Sequence, residues 1–145
     1  MVAADEAMAR AHRGWQNVRF DGWVSREGVA DILASARAGL VVLKPIKHEM
    51  LGLPIKLFEY MAAGVPVIAS DFPLWRKIVE DAGCGLLVDP LKPDEIADPI
   101  RWIVRHPEEA AEMGARGRAA VLTRYNWEQE SEVLFQLYDR ILRRS

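Results

Sequence analysis

Three short apolar runs, "AGLVVLKP", "VPVIAS" and "GLLVDP", constrain this chain more than any other feature. The first two are each followed by a segment of helical pattern, the second of them stopped by Gly83. An unbroken apolar run bounded by turn residues reads as a strand buried on both faces. Strands of that kind alternating with helices favour parallel pairing through right-handed helical crossovers. The expected fold class is therefore α/β, a doubly wound parallel sheet, with a helical C-terminal extension from Pro93 onward.

Ahead of the first run, Ala7, Met8 and Ala11 suggest a short helix ending near Gly14. In "NVRFDG", Val18 and Phe20 alternate with polar neighbours as in a strand that Gly22 ends. Ser25 reads as the N-cap of "REGVADILASAR", with Val29, Ile32 and Leu33 at helical spacing. In the C-terminal part, Pro107 with Glu108 and Glu109 opens one helix, and Asn126 with Gln129 opens another. Pro99 removes a donor in mid-pattern, which predicts either a kink or a fresh helix start capped by Asp98. Val133, Leu134, Leu137, Tyr138, Ile141 and Leu142 form one apolar stripe in the last helix, with Trp127 near its start. Ordinary packing on the sheet is the simplest use for most of that stripe.

A length of 145 residues, half of them hydrophobic, suits a single domain with a substantial core. Nothing in the sequence reads as a repeat, a linker or a second domain. The net charge of -2, with both signs spread along the chain, argues against a non-specific nucleic-acid binder, which needs a clustered basic surface. The single Cys84 allows neither an internal disulfide nor a zinc cluster and favours a reducing, cytoplasmic compartment. No apolar run reaches the length of a bilayer span, and the N-terminal pattern lacks a signal-peptide core.

In an open parallel sheet, ligands sit beyond the carboxyl ends of the strands. "LVVLKPIKHEMLGLPIKLFEY" supplies a strand ending near Lys44 and Pro45, a polar loop, and a helix beginning at Pro54 or Ile55. Unpaired amides at such a helix start attract anions, and Gly52 lets the backbone come close to a ligand. Glu59, about one turn in, has two uses. It can accept hydrogen bonds from a ribose diol, or it can pair with Lys56 and favour the helix dipole, worth about 0.3 to 1 kcal/mol. Composition alone favours the pairing.

"GLPIKLFEYMAAGVPVIASD", "CGLLVDP" and the late "YNWE" resemble the donor-binding, C-terminal half of retaining GT-B glycosyltransferases of family four, over nearly the whole chain. The resemblance implies a Rossmann-like donor domain spanning residues 1–145, truncated on its N-terminal side. In such enzymes two glutamates lie eight positions apart, the first on the donor sugar and the second on the ribose; Glu59 matches the second, and the first falls on Leu51. Glu49 or His48 could serve in its place, or both are simply solvated. Gly52, Leu53, Pro54 and Ile55 match the loop whose amides approach sugar and diphosphate. "VRFDGWVSREG" resembles the base-contacting segment, which makes Gly22, Trp23 and Val24 nucleotide-sugar-binding candidates, with Trp23 alternatively an edge-of-core aromatic. Asp71 either lines the cleft or caps the turn into Pro73.

The family's N-terminal acceptor domain and its basic Arg and Lys pair have no counterpart here. Lys56, a weak catalytic candidate, and Lys44 are the nearby cations that could partly substitute, and the isolated chain is expected to be inactive. No metal or cofactor is expected, only a nucleotide diphosphate sugar as donor. Missing leading strands would leave "NVRFDG" without its neighbour and expose an edge on "GLVVL". That edge calls for a rearranged four-stranded sheet or for self-association, through the edge or the last helix. The implied function is the donor-binding part of a glycosyltransferase in glycan or polysaccharide biosynthesis, cytoplasmic or membrane-peripheral in a full-length enzyme. The alternative is a non-catalytic nucleotide-binding module that docks onto a partner chain. A signalling receiver would need acidic residues clustered at early strand ends, which the sequence lacks.

Overall fold

A computed structural model describes residues 3–143, with side chains from residue 6 onward. Strands β1 (Gly39–Val41), β2 (Val67–Ser70) and β3 (Gly85–Val88) pair in parallel in the order β1-β2-β3, with Val67 opposite both Gly39 and Gly85. All four residues of central β2 are buried. Val67 and Ala69 share one cluster with Leu57, Met61, Trp75, Val79 and Ala120. Those residues come from helices α4 (Ile55–Ala62), α5 (Pro73–Ala82) and α7 (Pro107–Thr123). Ile68 turns to a second cluster with Val88, Ala110 and Ile103, the last from α6 (Pro93–Arg105). Helices cover both faces because successive β2 side chains alternate between them.

Local signals set most of the helix ends. The Ser25 hydroxyl accepts from Gly28 N–H at the start of α2 (Arg26–Ser35). Asn126 accepts from Gln129 N–H to open α8 (Trp127–Leu142), while its amide donates to the last carbonyls of α7 at Val121 and Leu122. Gly83 ends α5 with φ 58°, a left-handed cap that suits glycine. Ser70 is the buried polar residue of the core; its hydroxyl accepts from Leu43 N–H at 2.8 Å and donates to Leu43 C=O at 3.0 Å. That bridge carries the link between β1 and β2 past the end of β1.

Several expectations are corrected. "NVRFDG" is not a strand: Val18 and Phe20 are about half exposed, Phe20 leans on Trp15, and Arg19 pairs with Asp21. A strand needs a ladder partner, and no described strand pairs with this segment, so no rearranged fourth strand forms among the described residues. β1 is an edge strand with Leu40 exposed, not buried on both faces, and it ends at Val41 rather than near Lys44. The loop expected next contains a short helix, α3 (Lys47–Leu51). Of the two outcomes expected at Pro99, a kink or a fresh start, the fresh start does not occur: α6 runs on through Pro99, and Asp98 pairs with Arg101 instead of capping. Burial of Ile103 and the part-buried Ile96 and Trp102 holds the helix across the one missing bond. Finally, α8 buries none of its residues, and its whole stripe from Trp127 to Leu142 is exposed rather than packed on the sheet. Helix α1 (Ala3–Ala11) adjoins a 3₁₀ turn, Arg13–Asn17.

Candidate functional site

Helix α4 follows β1 and returns the chain to β2, so in this parallel crossover it runs against the strands. Its first turn therefore lies at the carboxyl ends of the sheet. Pro54 is the N-cap, and no side chain satisfies the opening amides. Such a helix start offers free N–H groups and a partial positive charge.

Leu57 and Met61 are fully buried and define the core face of α4. Glu59, two positions beyond Leu57, lies on the opposite face, exposed with Ile55 and Lys56. Among the described residues, the Glu59 carboxylate has no ion-pair or hydrogen-bond partner, so the local pairing with Lys56 is not formed. Its neighbour Tyr60 has a raised pKa, caused first by burial and then by the Glu59 charge.

Gly52 is held at both ends. Its N–H donates to His48 C=O at 3.1 Å, and its C=O accepts from the Trp75 indole N–H at 2.7 Å. Its backbone is extended, with φ -88° and ψ 157°. Leu53 is half exposed and Ile55 three-quarters exposed. An open depression of about 550 Å³ is lined by Lys47, His48, Leu51 and Gly52. His48 thus lines it with Leu51, the position that lacks the family's first glutamate, while Glu49 is absent from the lining. A larger groove of about 640 Å³, lined by Leu53, Phe58, Leu74, Ile78, Tyr125 and Trp127 among others, is mostly apolar and poorly suited to a diphosphate.

Gly22, Trp23 and Val24 lie in the turn ahead of α2, all exposed. Trp23 is fully exposed, so it is not an edge-of-core aromatic. The depression at that turn, with Arg19, Asp21, Val24 and Ile32 in its wall, shares no lining residue with the Gly52 depression. Gly52, Leu53, Pro54, Ile55, Lys56 and Glu59 are gathered on one helix start; the Trp23 turn is not joined to them by any hydrogen bond among the described residues.

Two features at the strand ends were not read from sequence. Trp75, wholly buried on α5, anchors the Gly52 loop, and the signal for it was an indole on a core helix face that needed an acceptor. Arg76 binds Asp71 just beyond β2 and also reaches Glu80. Asp71 therefore does not cap α5, whose N-cap is Phe72, and its Oδ1 is buried without a partner. Cys84 has its thiol pushed up to about 11, chiefly by burial, and behaves as a core hydrophobe. Among the described residues no cluster of His, Cys, Asp or Glu could hold a metal, and no helix is long and apolar enough to cross a membrane.

A parallel sheet covered by helices on both faces, with an open helix start at its carboxyl ends, is the fold of a GT-B glycosyltransferase domain. The sequence profile described as Glycosyl transferases group 1 matches residues 4–120, and the chain belongs to that family. It is 32% identical over 140 residues to a phosphatidyl-myo-inositol mannosyltransferase of Mycobacterium leprae, covering 94% of this chain and 36% of that protein. It is 36% identical over 107 residues to a GDP-mannose-dependent alpha-(1-6)-phosphatidylinositol dimannoside mannosyltransferase of Mycobacterium tuberculosis, covering 73% of this chain and 26% of that one. Sucrose-phosphate synthase from Thermosynechococcus elongatus superposes with a TM-score of 0.80 at 28% identity, over 97% of this chain and 34% of that one. The chain thus spans about a third of the length of these relatives.

Proposed function

We propose that residues 1–145 form the donor-binding part of a retaining, metal-independent glycosyltransferase that moves a sugar from a nucleotide diphosphate sugar to an acceptor in glycan or polysaccharide synthesis. The observation that carries this reading is the uncapped start of α4, with unpaired Glu59 on its open face. The free amides and the helix dipole receive the diphosphate, and Glu59 accepts hydrogen bonds from the ribose diol. The exposed face of Trp23 offers a surface for the base, with Gly22 and Val24 beside it.

Transfer needs the leaving diphosphate to be neutralised where its charge develops. Lys56, exposed one residue into α4, is a cation available for that task, and one such charge falls short of a basic pair. The chain alone therefore binds donor without appreciable turnover, and an acceptor domain or partner chain completes the enzyme in the cytoplasm or at a membrane surface. A mannosyltransferase relative described as GDP-mannose-dependent makes guanosine nucleotides the first probes.

Calorimetry with GDP and 2′-deoxy-GDP tests the reading. A ribose hydroxyl bonded to a carboxylate should make GDP bind about tenfold or more tighter. Equal affinities would remove Glu59 from the ribose, and no binding of GDP, UDP or their sugar conjugates would overturn the donor-binding role.

The uncovered stripe of α8 favours a second reading, a module that docks on a partner chain or on a second copy. Light scattering checks self-association: a monodisperse monomer at tens of micromolar argues against the second copy.

A further inference from the structure

Trp75 is fully buried, its ring 4.8 Å from Phe72, and an indole N–H in that setting needs an acceptor. It takes the carbonyl of Gly52, 23 residues earlier, at 2.7 Å. The described chain has no cis peptide, and in a trans peptide the carbonyl and the following N–H point in opposite directions. With the Gly52 carbonyl turned inward onto Trp75, the N–H of Leu53 is turned outward.

That N–H donates to no group among the described residues, and Leu53 is half exposed. Pro54 has no N–H, so Leu53 supplies the donor just ahead of the free amides at Ile55 and Lys56. Gly52 itself is extended and carries no side chain to lock it. Its N–H is fixed by His48 and its carbonyl by Trp75, and the second bond alone sets the plane of the peptide that bears the Leu53 amide.

Resting on the donor-binding reading above, we propose that Trp75 is a positioning residue that aims the Leu53 amide at the sugar-diphosphate end of a nucleotide sugar. Trp75 touches no ligand; it acts through the Gly52 carbonyl.

Trp75→Phe keeps most of the ring packing and removes the donor. The full 145-residue chain is titrated calorimetrically with GDP-mannose, UDP-glucose, GMP and UMP, and the Leu53 amide is followed by ¹⁵N–¹H spectra. The variant should bind the nucleotide sugar about tenfold more weakly, the worth of one well-aimed hydrogen bond, with monophosphate affinity unchanged. The shift of the Leu53 amide on sugar-nucleotide addition should be lost with it. A folded variant that binds nucleotide sugar as well as the unaltered chain overturns the positioning role and leaves the donor-binding reading standing. If the variant does not fold, the unaltered chain decides: a Leu53 amide that responds to GDP-mannose or UDP-glucose but not to the monophosphates supports the role, and one that ignores all four overturns it. Failure of the unaltered chain to bind any of the four probes overturns the donor-binding reading itself.

Discussion

Gly114→Ala is expected to lower stability by about 3 kcal/mol or more, although alanine is the better helix former by about 1 kcal/mol. A Cβ at Gly114 would stand 1.9 Å from the Gly64 carbonyl oxygen and 2.7 Å from its carbon. Both are backbone atoms, so no rotamer change relieves the overlap. The Gly64 turn cannot yield easily, because its N–H is bonded to Met61 C=O and the next N–H, of Val65, to Tyr60 C=O. Helix α7 would have to back away from α4, opening the seam where Gly117 meets Met61 and Cys84. Against a total stability of about 5 to 15 kcal/mol for a domain, such a loss is large. Urea denaturation measures it, with Gly28→Ala as the control: a Cβ there meets Val24 at an ordinary 3.4 Å in an exposed helix. Should Gly114→Ala prove as stable as that control, the close α7 to α4 contact would be wrong.

The two glycines of α7 also show where sequence reading stops. Ala110, Gly114, Gly117 and Ala120 are buried on α7, but a glycine in a helical pattern looks only like a local weakness until the facing backbone is known. The same limit applied at the N-terminus. "NVRFDG" has strand alternation, but no described strand pairs with it. What was legible was local: the Ser25 and Asn126 caps, the Gly83 stop and the unbroken apolar run of β2 each carry their own physical cause. Asp98 beside Pro99 carried an equally local cue and misled, because packing of Ile103 outweighed one lost hydrogen bond.

The candidate site divides in the same way. The α4 start was readable from the glycine and proline before it, and the 3.6-residue period of Leu57 and Met61 leaves Glu59 on the open side. The expectation that composition favoured, pairing of Glu59 with Lys56, failed because an exposed pair at that spacing gains only about 0.2 to 0.5 kcal/mol against the entropy of two long side chains. The Trp75 tether and the Arg76 to Asp71 pair join α5 to the loop after β1 and to the end of β2, and neither junction has a sequence period. The short α3 escaped for a related reason: five residues with no side-chain cap offer too little pattern to distinguish a turn of helix from a polar loop.

Glu59→Ala separates the carboxylate's two possible effects on a nucleotide, because they have opposite signs. As a ribose acceptor, its removal should weaken GDP about 10- to 150-fold, the worth of hydrogen bonds to a charged group at about 1.5 to 3 kcal/mol. As a negative charge roughly one turn from a diphosphate site, its removal should tighten any phosphate ligand, by less than about 1 kcal/mol at an exposed position. Pyrophosphate has no ribose and feels only the second effect, so it should bind the variant as well as or slightly better than the unaltered chain. Stability should change by under about 0.5 kcal/mol, since Glu59 is exposed and its carboxylate has no described partner. Calorimetry with GDP, 2′-deoxy-GDP and pyrophosphate reads all three cases. The advantage of GDP over its deoxy analogue should vanish in the variant; equal weakening of GDP and pyrophosphate would instead mean that Glu59 shapes the helix start and does not read the sugar.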